Sequence, residues 1–155
     1  MRTHTLAPTP NNSSQQKYLR GAELNDVALH KRPLRVFLVE DSPHVRDLLL
    51  DFLHVPGEVE IVGYADTEEE AVVAILAQPV DAVIVDLKLR EGSGMAVIER
   101  VRRANLDPRP KLIVFTNHPF AEIKQRAMKL GADYFFDKSA DYEGVRTTLQ
   151  ALRTP

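Results

Sequence analysis

From Leu34 onward, short apolar runs alternate with segments in which apolar residues recur every three or four positions. The first pattern marks strands buried on both faces and the second marks helices with one apolar stripe. Their alternation predicts a parallel sheet joined by crossover helices. The apolar runs place strands at 34–39, 58–64, 82–85, 111–115 and 133–136, with helices near 43–54, 67–77, 94–104, 119–130 and 141–152. Ser42-Pro43 offers an N-cap with proline at the first helical position. Thr67 precedes Glu68-Glu69-Glu70, with Glu70 in the capping-box place. Pro119 is expected to open the fourth helix and Gly131 to close it.

Before residue 34 this pattern is missing. Residues 8–16 read PTPNNSSQQ, too polar to bury surface that offsets their ordering entropy, so the first half of an arm over residues 1–33 is expected to be disordered. Tyr18, Leu19, Leu24, Val27 and Ala28 could line one side of a short docking helix. The arm carries five Lys/Arg against two Asp/Glu, and residues 34–155 carry fifteen against twenty, so a +3 arm precedes a −5 body.

Composition narrows the classes further. A chain of 155 residues with 44% hydrophobic and 27% charged residues has the content of one globular domain. The absence of cysteine excludes disulfides, zinc-thiolate sites and thiol nucleophiles. No apolar stretch suits a membrane span, and no apolar signal-peptide region follows Met1, so a cytoplasmic protein is expected. A net charge of −2 argues against a globally basic nucleic-acid binder.

In doubly wound sheets function sits at the carboxyl ends of the strands. Here the first strand runs into Glu40-Asp41, the third into Asp86 and the fourth into Thr116, while Lys138 follows the fifth. Taken singly, each has an ordinary explanation as a cap, a turn hydroxyl or a solvated charge. Together they bring three carboxylates, a hydroxyl and an ammonium to one edge. Clustered carboxylates repel, and a hard divalent cation such as Mg²⁺ relieves that repulsion through oxygen ligands. A carboxylate attacking phosphorus needs such a metal, with donors such as Thr116 and Lys138 on the phosphoryl oxygens.

These residues resemble the receiver domain of two-component response regulators, over residues 34 to about 153. Further matches are the loop from Asp86 to Gly94, with a glycine where the family enters its third helix, and Gly131-Ala132-Asp133 before the last strand. The resemblance implies an α/β, flavodoxin-like doubly wound sheet of five parallel strands in the order 2-1-3-4-5, with five helices. It implies phosphorylation of Asp86 by a sensor histidine kinase or phosphotransfer protein. Mg²⁺ would be held by Asp41, Asp86 and the Lys88 carbonyl, with Glu40 acting largely through water. Thr116 and Phe135 would form the switch pair.

The expected protein is a single-domain regulator that signals by binding a downstream protein, with no enzymatic turnover beyond its own phosphorylation and slow dephosphorylation. Output is expected through the fourth helix, fifth strand and fifth helix, with Lys124, Phe135 and Arg146 as candidate contacts and homodimerisation as one possible use. Because the sequence stops after the fifth helix, direct DNA binding is not expected.

Arg90 and Ser139 stand where the family commonly has prolines, so a trans Lys138–Ser139 bond is expected. Asp137 is assigned no catalytic role. A haloacid dehalogenase would need an acid two residues after Asp86, where Lys88 stands. A flavodoxin would need a Ser/Thr/Gly-rich phosphate loop where Glu40-Asp41-Ser42-Pro43 stands. His4, His30, His44, His54 and His118 show no ligand spacing. The alternative from another class is a noncatalytic interaction domain with a vestigial site.

Overall fold

The computed structural model describes residues 32–154. The expected arm, including its candidate helix face at Tyr18, Leu19, Leu24, Val27 and Ala28, lies outside the described residues except for positions 32 and 33. Strands and helices alternate as β1 (Leu34–Val39), α1 (Pro43–Leu53), β2 (Val59–Ala65), α2 (Glu68–Ala77), β3 (Ala82–Val85), α3 (Gly94–Arg103), β4 (Lys111–Thr116), α4 (Ala121–Leu130), β5 (Tyr134–Asp137) and α5 (Tyr142–Arg153). All strand pairs are parallel, in the order β2-β1-β3-β4-β5.

Alternation along each strand divides the core into two layers. Val36, Leu38, Ala82, Ile84, Ile113 and Phe115 face α1 and α5, where they meet Leu49, Leu53, Val145 and Leu149. Phe37, Val39, Val83, Val85, Leu112 and Val114 face α2, α3 and α4, against Val72, Ile75, Val97, Ile98 and Ala127. Both faces of the central strands are thus covered, which explains why they read as continuous apolar runs.

The local signals act as expected at most helix ends. Ser42 Oγ accepts from the Val45 N–H at 3.3 Å and Thr67 Oγ1 from Glu70 N–H at 3.3 Å. Gly131 closes α4 in the left-handed region at φ 115°. Pro119 does not open α4. The helix starts at Ala121, with Phe120 as an extended N-cap whose carbonyl accepts the Lys124 N–H. The chain leaves β4 through a turn in which the His118 N–H donates to Thr116 Oγ1 at 3.2 Å, and Pro119 is spent on reaching the helix. Strand β5 begins one residue later than expected, because Asp133 turns its carboxylate onto the Leu112 N–H at 2.8 Å and onto Arg102 at 2.6 Å.

The entry to α3 is sterically demanding. The Gly94 N–H donates to the Leu87 carbonyl at 2.9 Å, and a Cβ at Gly94 would collide with the Asp86 carbonyl and come within 2.8 Å of Leu87 Cα. Both obstacles are backbone, so the loop itself would have to move. Gly94→Ala is therefore expected to cost about 1–3 kcal/mol, as overpacking does. The urea midpoint should fall, and an unchanged midpoint would show that the loop yields freely.

Candidate functional site at the carboxyl edge of the sheet

The ladder that builds the sheet continues past its strands and fixes the site residues. The Glu40 N–H donates to the Ala65 carbonyl at 3.0 Å, the Asp86 N–H to Val39 at 2.9 Å and the Lys138 N–H to Thr116 at 2.9 Å. Each side chain therefore leaves from a backbone already held by a neighbouring strand. Lys138 Nζ donates to Glu40 Oε2 at 2.5 Å and to Asp86 Oδ2 at 2.9 Å. The side chains of Lys138, Glu40 and Asp86 are 5%, 3% and 10% exposed, so this is a buried charge cluster.

Glu40 is held further by the Ser42 N–H on Oε1 at 3.0 Å, and Arg46 donates to its backbone carbonyl at 2.9 Å while lying 4.3 Å over the Tyr64 ring. Burial raises the Glu40 carboxyl above its ordinary range. The hydrogen bond and charge of Lys138 pull it back, and Asp86 adds to the rise. For Lys138, burial opposes the charged form, yet the hydrogen bonds and charges of Glu40 and Asp86 outweigh it and hold the ammonium above its usual value.

Asp41 lies half-buried beside this pair, and one carboxylate oxygen from each of Glu40, Asp41 and Asp86 falls within 4.8 Å of the others. Three carboxylates and one ammonium sum to −2, which one divalent cation would cancel. Oxygen donors at that spacing suit a hard ion such as Mg²⁺. It is the one such group of three among the described residues, and His44, His54 and His118 are not part of it. His4 and His30 lie outside the described residues. The Lys88 side chain is exposed, and the loop carrying its carbonyl is closed by the Lys88–Ser93 bridge and by Gly94.

Thr116 is fully buried at the end of β4. Phe135 is half-buried, paired with Val114 in the sheet and packed on the α2–α3–α4 side of the core. Asp137 accepts from the Ser139 N–H at 2.9 Å and the Ser139 hydroxyl at 2.7 Å, which hold its carboxyl below the usual range. The one cis peptide among the described residues is Asp107–Pro108, so Lys138–Ser139 is trans as expected. Lys124 is exposed, and Arg146, with 37% of its side chain exposed, also serves as a fastening. It donates to the Phe52 carbonyl at 2.8 Å and covers the Phe52 ring at 3.9 Å, tying α5 to α1.

Sequence reasoning missed the support of the Asp86 loop. Arg90 makes a two-pronged contact with Asp66, both distances 3.2 Å, and its N–H reaches the Asp66 carbonyl at 3.3 Å. Glu68 accepts from the Ser93 N–H at 3.1 Å and from Arg100 at 3.2 Å, and its own N–H donates to Glu91. The acidic stretch 66–70 was legible as a capping signal, but its side-chain partners 24 to 32 residues on carried no local mark.

Comparison with known proteins identifies the family and the fold. The model of the response regulator receiver domain matches residues 36–150. A protein-glutamate methylesterase/protein-glutamine glutaminase from Methanospirillum hungatei is 27% identical over 113 residues, which are 73% of this chain and 33% of that protein. The chain thus spans about a third of that relative's length.

The signal receiver domain of NarL from Mycobacterium tuberculosis superposes with a TM-score of 0.72 at 24% identity, covering 81% of this chain and all of that one. The response regulator domain of Thermotoga maritima CheB gives 0.66 at 23% identity, covering 79% of this chain and 95% of that one. These structures share the fold. No helix among the described residues is long and apolar enough to cross a membrane.

The charge cluster generates a stability test. Lys138→Ala leaves two buried carboxylates facing each other, and loss of one partner from a buried ion pair costs about 3–5 kcal/mol. In EDTA the melting temperature should drop. Added Mg²⁺ should raise it more in the variant than in the wild type, because the ion supplies the missing positive charge. Equal Mg²⁺ shifts in the two proteins would separate the metal from this cluster.

Proposed function

The chain belongs to the response regulator receiver domain family, and from that premise we propose that Asp86 accepts a phosphoryl group from a phosphohistidine on a sensor histidine kinase or phosphotransfer protein. The observation that carries this reading is the state of Asp86. Lys138 engages Oδ2, and no hydrogen bond among the described residues engages Oδ1. Oδ1 attacks phosphorus, the P–N bond breaks, and its electron pair returns to the imidazole, leaving a mixed anhydride on Asp86. Mg²⁺, held by Asp41, Asp86 and the Lys88 carbonyl with Glu40 behind water, would neutralise the approaching anions.

Lys138 orients Oδ2 and donates to the charge spread over the phosphoryl oxygens. The Thr116 oxygen already accepts from His118, so its own proton remains to be donated to the phosphoryl group. Movement of Thr116, followed by Phe135, would pass the change to α4, β5 and α5, where a downstream protein or a second copy binds. Lys124, Phe135 and Arg146 are the candidate contacts of that face, Arg146 with 37% of its side chain exposed. A cytoplasmic location fits a phosphohistidine donor.

Incubation with phosphoramidate and Mg²⁺ should give one phosphoryl adduct per chain by intact mass, stable in acid and lost in base. Asp86→Asn and EDTA should each abolish it. A full-stoichiometry adduct on Asp86→Asn places the acceptor elsewhere. No adduct on the wild type returns the reading to a noncatalytic interaction domain.

A further inference from the structure

A groove of about 370 Å³ lies beside the site, between the loop after β3 and the start of α4. Its apolar lining includes Leu87, Met95 and Ile123, and its polar lining includes Lys88, His118 and Arg126, with no acidic residue. Lys88 and Arg126 are exposed, and no ion pair among the described residues engages either. By contrast, Arg90, Arg100, Arg102 and Arg103 all pair with carboxylates. In a body of charge −5, a cleft with cationic walls and an apolar floor is locally opposite in sign to its surroundings.

We propose that this groove docks an acidic segment of a partner protein carrying at least one large apolar side chain, and that phosphorylation of Asp86 loosens it. The apolar residue takes the floor of Leu87, Met95 and Ile123, and the flanking carboxylates meet Lys88 and Arg126. Coupling follows from the chain path. Leu87 and Lys88 directly follow Asp86, and the His118 N–H is bonded to the Thr116 hydroxyl. A phosphoryl group draws Lys88 inward, adds negative charge beside the groove and engages the hydroxyl that holds the His118 wall. The loosening rests on the phosphorylation reading above, whereas docking to the unphosphorylated chain does not.

The probe is a fluorescein-labelled 12-residue peptide of alternating Glu and Leu, with a Glu/Ser peptide and a Lys/Leu peptide as controls, read by fluorescence polarisation on the full chain. The Glu/Leu peptide should bind best. Arg126→Glu should weaken it about tenfold, as reversal of a contact charge does, and Lys129→Glu, outside the groove on the same helix, by less than about twofold. Ile123→Ala should weaken it as well, and phosphorylated protein should bind less tightly than unphosphorylated.

Equal loss in the two charge reversals reduces the effect to general electrostatics and overturns the docking site, as does equal binding of the Glu/Ser peptide. Complete competition by inorganic phosphate leaves an anion subsite only, and dimers that dissociate in Arg126→Glu make a second copy the occupant. Both outcomes overturn the proposal. If the chain takes no phosphoryl group, the functional reading fails while the peptide series still decides the docking site. If it does and affinity is unchanged, the coupling is wrong.

Discussion

The ammonium of Lys138, shared between Glu40 and Asp86, is the constraint around which the functional edge is organised. Taking three charges out of water costs several kcal/mol per ion, and only close geometry with further hydrogen bonds repays it. That geometry joins the ends of β1, β3 and β5, whose residues are 98 and 52 positions apart in sequence. None of the three ends can shift alone without leaving a buried charge short of its partner. The sheet supplies the required rigidity by extending its ladder one residue past each strand, so the cluster rests on backbone hydrogen bonds at every corner.

Much of this was legible because the signals are local or periodic. Alternating apolar runs located the five strands to within a residue at each end, and a carboxylate or ammonium just beyond a strand points to the carboxyl edge whatever the rest of the fold does. The pairing of Lys138 with both Glu40 and Asp86 was not legible, since it depends on which strands are neighbours and on rotamers that spacing does not encode. Pro119 misled for a related reason. Proline is favoured at a first helical position, but here the turn between His118 and Thr116 consumed two residues before the helix could begin. Arg146 was expected as an output contact, and its cover over the Phe52 ring was not legible because it depends on α1 and α5 lying side by side.

Arg90 illustrates how an irregular loop is held when a rigid residue is absent. Proline stiffens a loop by fixing its own φ and so lowers the entropy lost on folding. This chain uses contacts instead: Arg90 to Asp66, Glu68 to Ser93 and Arg100, and the Thr67–Glu91 bridge. Exposed ion pairs are individually weak, about 0–1 kcal/mol at the median, but these act together with backbone hydrogen bonds on the same short segment. The loop after β3 is therefore braced by the loop after β2, and the braced segment includes the Lys88 carbonyl proposed as a metal ligand.

Charge balance indicates why such bracing matters at this edge. With Lys138 in place the cluster holds −2, a balance that a divalent cation neutralises without displacing the ammonium from its hydrogen bonds. Converting the Asp86 carboxylate to an acyl phosphate would raise the local negative charge again by about one unit, since the new group carries roughly two charges near pH 7 in place of one. The buried donors available to answer it are Lys138, already shared, and the Thr116 hydroxyl, whose oxygen is tied to His118. On the proposed reading, relief beyond the cation's would come from movement at the least buried part of the ring of contacts. That part is the segment from Thr116 to Phe120, exposed from Asn117 onward and lacking a side-chain cap where it enters α4. If Asp86 is phosphorylated as proposed, a β3 loop held by these contacts, facing a β4 loop with fewer of them, would direct the added charge toward displacement at α4.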